Sequence, residues 1–130
     1  MVDAEAITRD ALRNRTAPSL LCERARSLPD RVAFRSKHLG IYRERSFRDY
    51  ALLVARAAKA LAGIGLTKGE RVAIMGDACE EWMICDLASQ SLGAIVFGIY
   101  PTASAAEVEY QLRDGGAVIF IAEDQEYVDK

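Results

Sequence analysis

Three short apolar runs, "RVAIMG" (71–76), "AIVFGIY" (94–100) and "AVIFIA" (117–122), alternate with two longer segments of mixed polarity. A run of four to eight apolar residues bounded by turn residues reads as a strand buried on both faces of a parallel sheet. Apolar positions three and four apart read instead as one face of a helix. Lys68 and Gly69 precede the first run and Gly76 ends it, while Pro101 stops the second. The first intervening helix is expected to open on a cap made by Asp77 and Glu80, to run through Trp82, Cys85, Ala88 and Leu92, and to end at Gly93. The second opens on a capping box of Ser104 and Glu107, places Val108 and Leu112 on one face, and ends at Gly115 and Gly116. Strand, helix, strand, helix, strand with short links has one economical solution, a parallel sheet built by right-handed crossovers with helices against its faces. The fold class is α/β.

Upstream, Pro18 suits a first helical turn, Leu20, Leu21, Arg24, Ala25 and Leu28 follow at near-helical spacing, and Pro29-Asp30 stops the pattern. "RVAFRSKHLGIYRERSF" reads as an antiparallel hairpin turning at His38, Leu39 and Gly40. Ser46 and Asp49 cap a long helix whose stripe is Phe47, Tyr50, Val54, Ala57, Leu61 and Ile64, with Arg48, Arg56 and Lys59 off it and Gly63 and Gly65 at its end. "DQEYVDK" begins a further helix after the third run. The predicted architecture is an N-terminal helix and β-hairpin followed by βαβαβ, one domain over 1–130, with residues 1–15 disordered.

Composition adds exclusions. The 130 residues are 51% hydrophobic and 28% charged, enough for a packed core. Lys plus Arg number 17 against 19 Asp plus Glu, a formal charge of -2 that argues against nucleic acid as a partner. Cys22, Cys79 and Cys85 are odd in number and lack paired spacing, so they read as reduced thiols of a cytoplasmic protein, without disulfide or zinc. The N-terminal stretch interleaves charges with short apolar residues and is neither a secretory signal nor a transmembrane segment.

The search for chemistry leaves one position. Pro101 cannot donate a ladder hydrogen bond, so Tyr100-Pro101-Thr102 falls at the carboxyl edge of the sheet, where ligands of open α/β sheets bind near a topological switch point. Tyr100 and Thr102 are the candidate substrate-binding residues, beside a purely structural reading of the same turn. His38 is read as a solvated turn residue, Trp82 as a core residue of its helix, and the pairs Glu80-Glu81 and Glu123-Asp124 as helix-start or loop charges. Gly63, Gly65 and Gly69 follow a helix and precede a strand, the reverse of the order that aims helix N–H groups at phosphate. No catalytic, cofactor-binding or metal residue is assigned.

The ordered set of Gly65-Leu66, Lys68-Gly69 before Arg71-Val72-Ala73-Ile74, Glu81-Trp82, Leu92-Gly93-Ala94, Tyr100-Pro101-Thr102, then Glu107, Tyr110 and Glu123-Asp124 resembles the N-terminal part of the adenylate-forming acyl-CoA synthetases. The Tyr-Pro-Thr turn makes the resemblance closest to long-chain fatty acid–CoA ligases. It runs from about Thr16 to Lys130. Departures fall on caps and turns: Glu70 where the family usually has Asp, Asp77-Ala78-Cys79 for an Asn-containing turn, and Gly115-Gly116 for a Ser-acidic pair. The resemblance implies a larger enzyme that uses ATP, magnesium and coenzyme A to convert a fatty acid to acyl-CoA through an acyl-adenylate. It also implies that the phosphate loop, ribose ligand, hinge and catalytic lysine lie further along a longer chain. On that reading these residues are an inactive N-terminal fragment whose open strand edge invites a homodimer, the parent being cytoplasmic or peripheral to a membrane. The alternatives are a stand-alone non-catalytic interaction module and a small nucleotide-binding domain.

Overall fold

The computed structural model describes residues 15–129, so most of the stretch expected to be disordered lies outside the described residues. Helix α1 spans Ala17–Ser27, with Thr16 and Ser19 capping each other and Pro18 in the first turn. Strands β1 (Val32–His38) and β2 (Ile41–Ser46) form the hairpin. Its two connecting residues, Leu39 and Gly40, both take positive φ, 49° and 82°. Helix α2 (Phe47–Gly63) starts on the expected box: the Asp49 N–H donates to Ser46 Oγ at 3.1 Å and the Ser46 N–H donates to Asp49 Oδ2 at 3.1 Å.

The remainder is β3 (Arg71–Met75), α3 (Glu80–Ser91), β4 (Ile95–Ile99), α4 (Ala105–Gly115), β5 (Ala117–Ala122) and the short α5 (Gln125–Val128). The three strands pair in parallel in the order β4-β3-β5. Val72 and Ile74 face a core formed with Leu21 of α1, Val54 and Leu61 of α2 and Ala88 of α3. Ala73 and Met75 face the opposite layer, with Ile99, Ala103 and Val108. The sheet is therefore covered by α1, α2 and α3 on one face and by α4 on the other. Removing a side chain such as Met75 from this interior carries a cost of about 2–5 kcal/mol.

Two expectations are corrected. The first two apolar runs read as buried strands, yet only β3 is: Val72, Ala73, Ile74 and Met75 have almost no exposed surface, while Ile95 on β4 is 57% exposed, and on the third strand, β5, Val118 is 52% exposed. The flanking strands have β3 as their only partner among the described residues, and Val118 is the extra residue where the register slips between Arg71 and Val72. The second correction is the cap of α3. Its N-cap is Cys79, which makes no side-chain cap hydrogen bond. Glu80 is turned toward the hairpin, and the Asp77 N–H donates to Glu123 Oε2 at 2.6 Å.

Candidate functional site

Because α3 leaves β3 on one face of the sheet and α4 leaves β4 on the other, the carboxyl ends of β3 and β4 form the topological switch point. A cleft of 1280 Å³ lies over that point and extends beneath the hairpin. Phe34, Ile74, Trp82, Cys85 and Ile121 supply its apolar lining. The hairpin wall carries Arg35, Lys37, His38 and Arg43, and Glu80, Glu81 and Glu123 also line the cleft. Gly98 admits the Trp82 indole: a Cβ there would meet Trp82 Cζ2 at 3.2 Å. Trp82 is the core residue expected of it, packed against the helical layer, and it also floors the cleft.

The hairpin is held in place by polar contacts. Arg45 donates to Glu80 through Nη2 at 2.7 Å to Oε1 and through Nε at 3.2 Å to Oε2, and the Ser36 hydroxyl donates to Oε2 at 3.0 Å. The Arg45 and Glu80 side chains are 32% and 15% exposed. The Arg45 guanidinium, and then Ser36, hold the Glu80 carboxyl below the usual carboxylate range against the opposing effect of burial. On the inner side the Phe34 ring meets Tyr50 edge-on, centroids 5.0 Å apart. A helix-start reading of Glu80 missed this pairing because its partners lie 35 and 44 residues away. No local spacing signals a contact at that separation.

Of the two candidate residues, Tyr100 lines the cleft at its rim, 81% exposed, whereas Thr102 is exposed outside the lining. The Ala103 N–H donates to the Tyr100 carbonyl at 2.9 Å, so the turn also has a purely structural role. His38, the last residue of β1, is exposed at the opposite rim.

The lining mixes basic side chains, Arg35, Lys37, His38 and Arg43, with the carboxylates of Glu80, Glu81 and Glu123. Helix N-termini attract phosphate through free N–H groups, but those of α2 and α4 are occupied by Ser46 with Asp49 and Ser104 with Glu107, and the first turn of α3 carries Glu80 and Glu81. No cluster of three or more metal-type side chains occurs among the described residues. Burial raises the pKa of both Cys79 and Cys85, which disfavours their thiolates. No helix among the described residues is long and apolar enough to cross a membrane.

The fold and cleft define an α/β unit with a switch-point cleft at the carboxyl edge of its parallel sheet. Residues 21–130 match the family of AMP-binding enzymes, and the chain belongs to that family. It is 34% identical over 117 residues to the uncharacterized protein Rv1549 of Mycobacterium tuberculosis, covering 87% of this chain and 65% of that protein. It is 32% identical over 105 residues to the long-chain-fatty-acid–CoA ligase FadD15 of Mycobacterium bovis, covering 81% of this chain and 18% of the ligase. Its structure superposes with a TM-score of 0.78 on a protein described as a long-chain-fatty-acid CoA ligase from Rhodopseudomonas palustris, at 30% identity, over 91% of this chain and 29% of the other. The chain thus matches a segment of acyl-CoA ligases and spans less than two thirds of the length of each relative named.

Proposed function

We propose that these 130 residues are the N-terminal unit of an ATP-dependent long-chain fatty acid–CoA ligase, contributing scaffold and one wall of the substrate region. The observation that carries this reading is the superposition over 91% of the chain on the R. palustris protein at 30% identity. The complete enzyme would join a fatty acid to ATP with release of pyrophosphate, then pass the acyl group to coenzyme A with release of AMP. The groups that hold ATP and magnesium belong to the remaining length, in keeping with the capped N-termini of α2 and α4 and the acidic first turn of α3. Tyr100, at the cleft rim, is the better placed of the two candidate substrate residues; Thr102 serves the turn. The protein works in the cytoplasm on this reading.

The test is fatty-acid-dependent exchange of labelled pyrophosphate into ATP, followed by acyl-CoA formation on adding coenzyme A. A full-length ligase carrying this segment is expected to perform both and the isolated 130 residues neither. Exchange that ignores long-chain fatty acids would overturn the substrate class, and turnover by the isolated chain would overturn its role as scaffold.

One observation favours a second reading, that of a non-catalytic interaction module. The segment makes up 65% of Rv1549 but 18% of FadD15, so a relative exists in which little accompanies it. Stable capture of a family member by the isolated chain, with no exchange activity in the complex, would favour the module.

A further inference from the structure

The tip of the β-hairpin breaks two ordinary preferences at once. Its connecting residues, Leu39 and Gly40, both take positive φ, the pattern of a two-residue type I′ turn, whose first position suits Asn, Asp or Gly. Leucine stands there instead, at φ 49°, and among the described residues it is the one residue other than glycine with positive φ. In that region Cβ crowds the following carbonyl, so a bulky side chain makes a less stable turn than asparagine would. Burial does not compensate: Leu39 is 89% exposed, and Ile41 and Tyr42 beside it are 69% and 65% exposed. A strained position that presents an unburied apolar side chain points to a role outside the chain's own core.

The surrounding charge selects the partner. Between residues 31 and 45, Arg31, Arg35, Lys37, Arg43 and Arg45 stand against one acidic residue, Glu44, in a chain whose formal charge is -2. Arg35 pairs with Glu44 at 2.8 Å and Arg45 with Glu80 at 2.7 Å. Lys37 and Arg43 remain to flank the tip, both exposed, with Arg43 also acting on the Glu80 carboxyl. The Lys37 ammonium stands 5.8 Å from the centroid of the Tyr42 ring. Leu39, Ile41 and Tyr42 lie outside the lining of the cleft, which is where Glu80, Glu81 and Glu123 are found. Apolar side chains at the end of a projection, flanked by Lys and Arg, complement an anionic lipid surface: the apolar groups enter the headgroup layer while long basic stems keep their charges at the level of the phosphates.

We propose that the hairpin tip docks this chain on an anionic lipid surface, with Leu39, Ile41 and Tyr42 set into the headgroup layer and Lys37 and Arg43 on lipid phosphates.

The test is sedimentation of the 130-residue chain with vesicles of phosphatidylglycerol and, separately, of phosphatidylcholine. Binding to phosphatidylglycerol is expected to weaken as salt is raised and to far exceed binding to phosphatidylcholine. Leu39→Asn separates a docking role from a structural one, because Asn takes φ 49° more readily than Leu. The variant should melt at the parent's temperature or higher, yet bind phosphatidylglycerol at least about tenfold more weakly. Joint Lys37→Gln and Arg43→Gln replacement, which leaves the turn untouched, should weaken binding about fivefold for each charge removed. Ile95→Asn, at an exposed position of β4, should change nothing. Failure to bind phosphatidylglycerol, equal binding to both lipids, or tip variants that bind like the parent overturns the proposal. So does a loss with Ile95→Asn as large as with Leu39→Asn, which assigns the binding to the open sheet. Self-association without lipid that Leu39→Asn abolishes also overturns it, by assigning the tip to a second copy. Neither ATP, fatty acid nor coenzyme A enters the assay, so its failure leaves the ligase reading standing, and pyrophosphate exchange tests that reading alone.

Discussion

The helices α3 and α4 leave the same edge of the same sheet, yet they begin in opposite ways. Helix α4 closes its own N-terminus: the Ser104 N–H donates to Glu107 Oε2 at 2.7 Å, and the Glu107 N–H donates back to Ser104 Oγ at 3.4 Å. Helix α3 begins at Cys79 with no side-chain cap and spends its first carboxylate, Glu80, on Arg45 and Ser36 of the hairpin. The first arrangement is local and stabilises one helix. The second is long-range and holds a wall of the cleft. A helix start that forgoes its own cap therefore marks the place where this unit invests in tertiary geometry.

The largest expected effect breaks the long-range start. Glu80→Ala leaves Arg45 two-thirds buried without its carboxylate and should lower unfolding stability by about 2 kcal/mol in urea titration. Joint replacement by Arg45→Met and Glu80→Leu should recover at least half of that loss, since removing both partners leaves no orphaned charge. If the single variants cost nothing, the pair is ornamental and the contrast with α4 disappears.

Ser104→Ala should cost about 1 kcal/mol through the uncapped N-terminus of α4, with the hairpin undisturbed. Ser46→Ala should behave alike at α2, whose box has the same form. Amide exchange should separate the two classes: opening confined to the first turn of α4 for Ser104→Ala, and spread through β1, β2 and α3 for Glu80→Ala.

A smaller effect appears with pH. The folded-state pKa of Glu80 is lowered chiefly by its hydrogen bond from Arg45, so its contribution is fully present above the unfolded glutamate value of about 4.3 and is lost as pH falls through the lower folded value. The stability of the parent chain should therefore decline below about pH 4.3 more steeply than that of Glu80→Gln. Parallel curves in thermal melts across that range would show that the carboxylate does not do this.

Much of the fold was legible because its signals are local. Ser46 with Asp49 and Ser104 with Glu107 each sit three residues apart, and both form the boxes their spacing implied. Gly116 ends α4 in the left-handed region at φ 59°, as a terminating glycine should. The hairpin turn and the alternation of strands and helices followed from apolar periodicity. The candidate site was legible only in part. Pro101 located the sheet edge, but the same pattern could not say that Tyr100 would line the cleft while Thr102 stood outside it. That depends on how the turn closes onto Ala103.

By itself the sequence determined which segments are helices and strands and how most helices are capped, because these depend on neighbours within four or five residues. The family resemblance was legible too, in a series of short motifs kept in order along the chain. Only the tertiary structure decided the rest. It made β3 the sealed centre and left β4 and β5 open, although all three runs are comparably apolar, because burial depends on strand order and not on composition. It also turned the Glu80 side chain, at the start of α3, onto Arg45. A carboxylate near a helix N-terminus can serve either a free N–H or a guanidinium, and the choice is settled by what the fold brings within 3 Å.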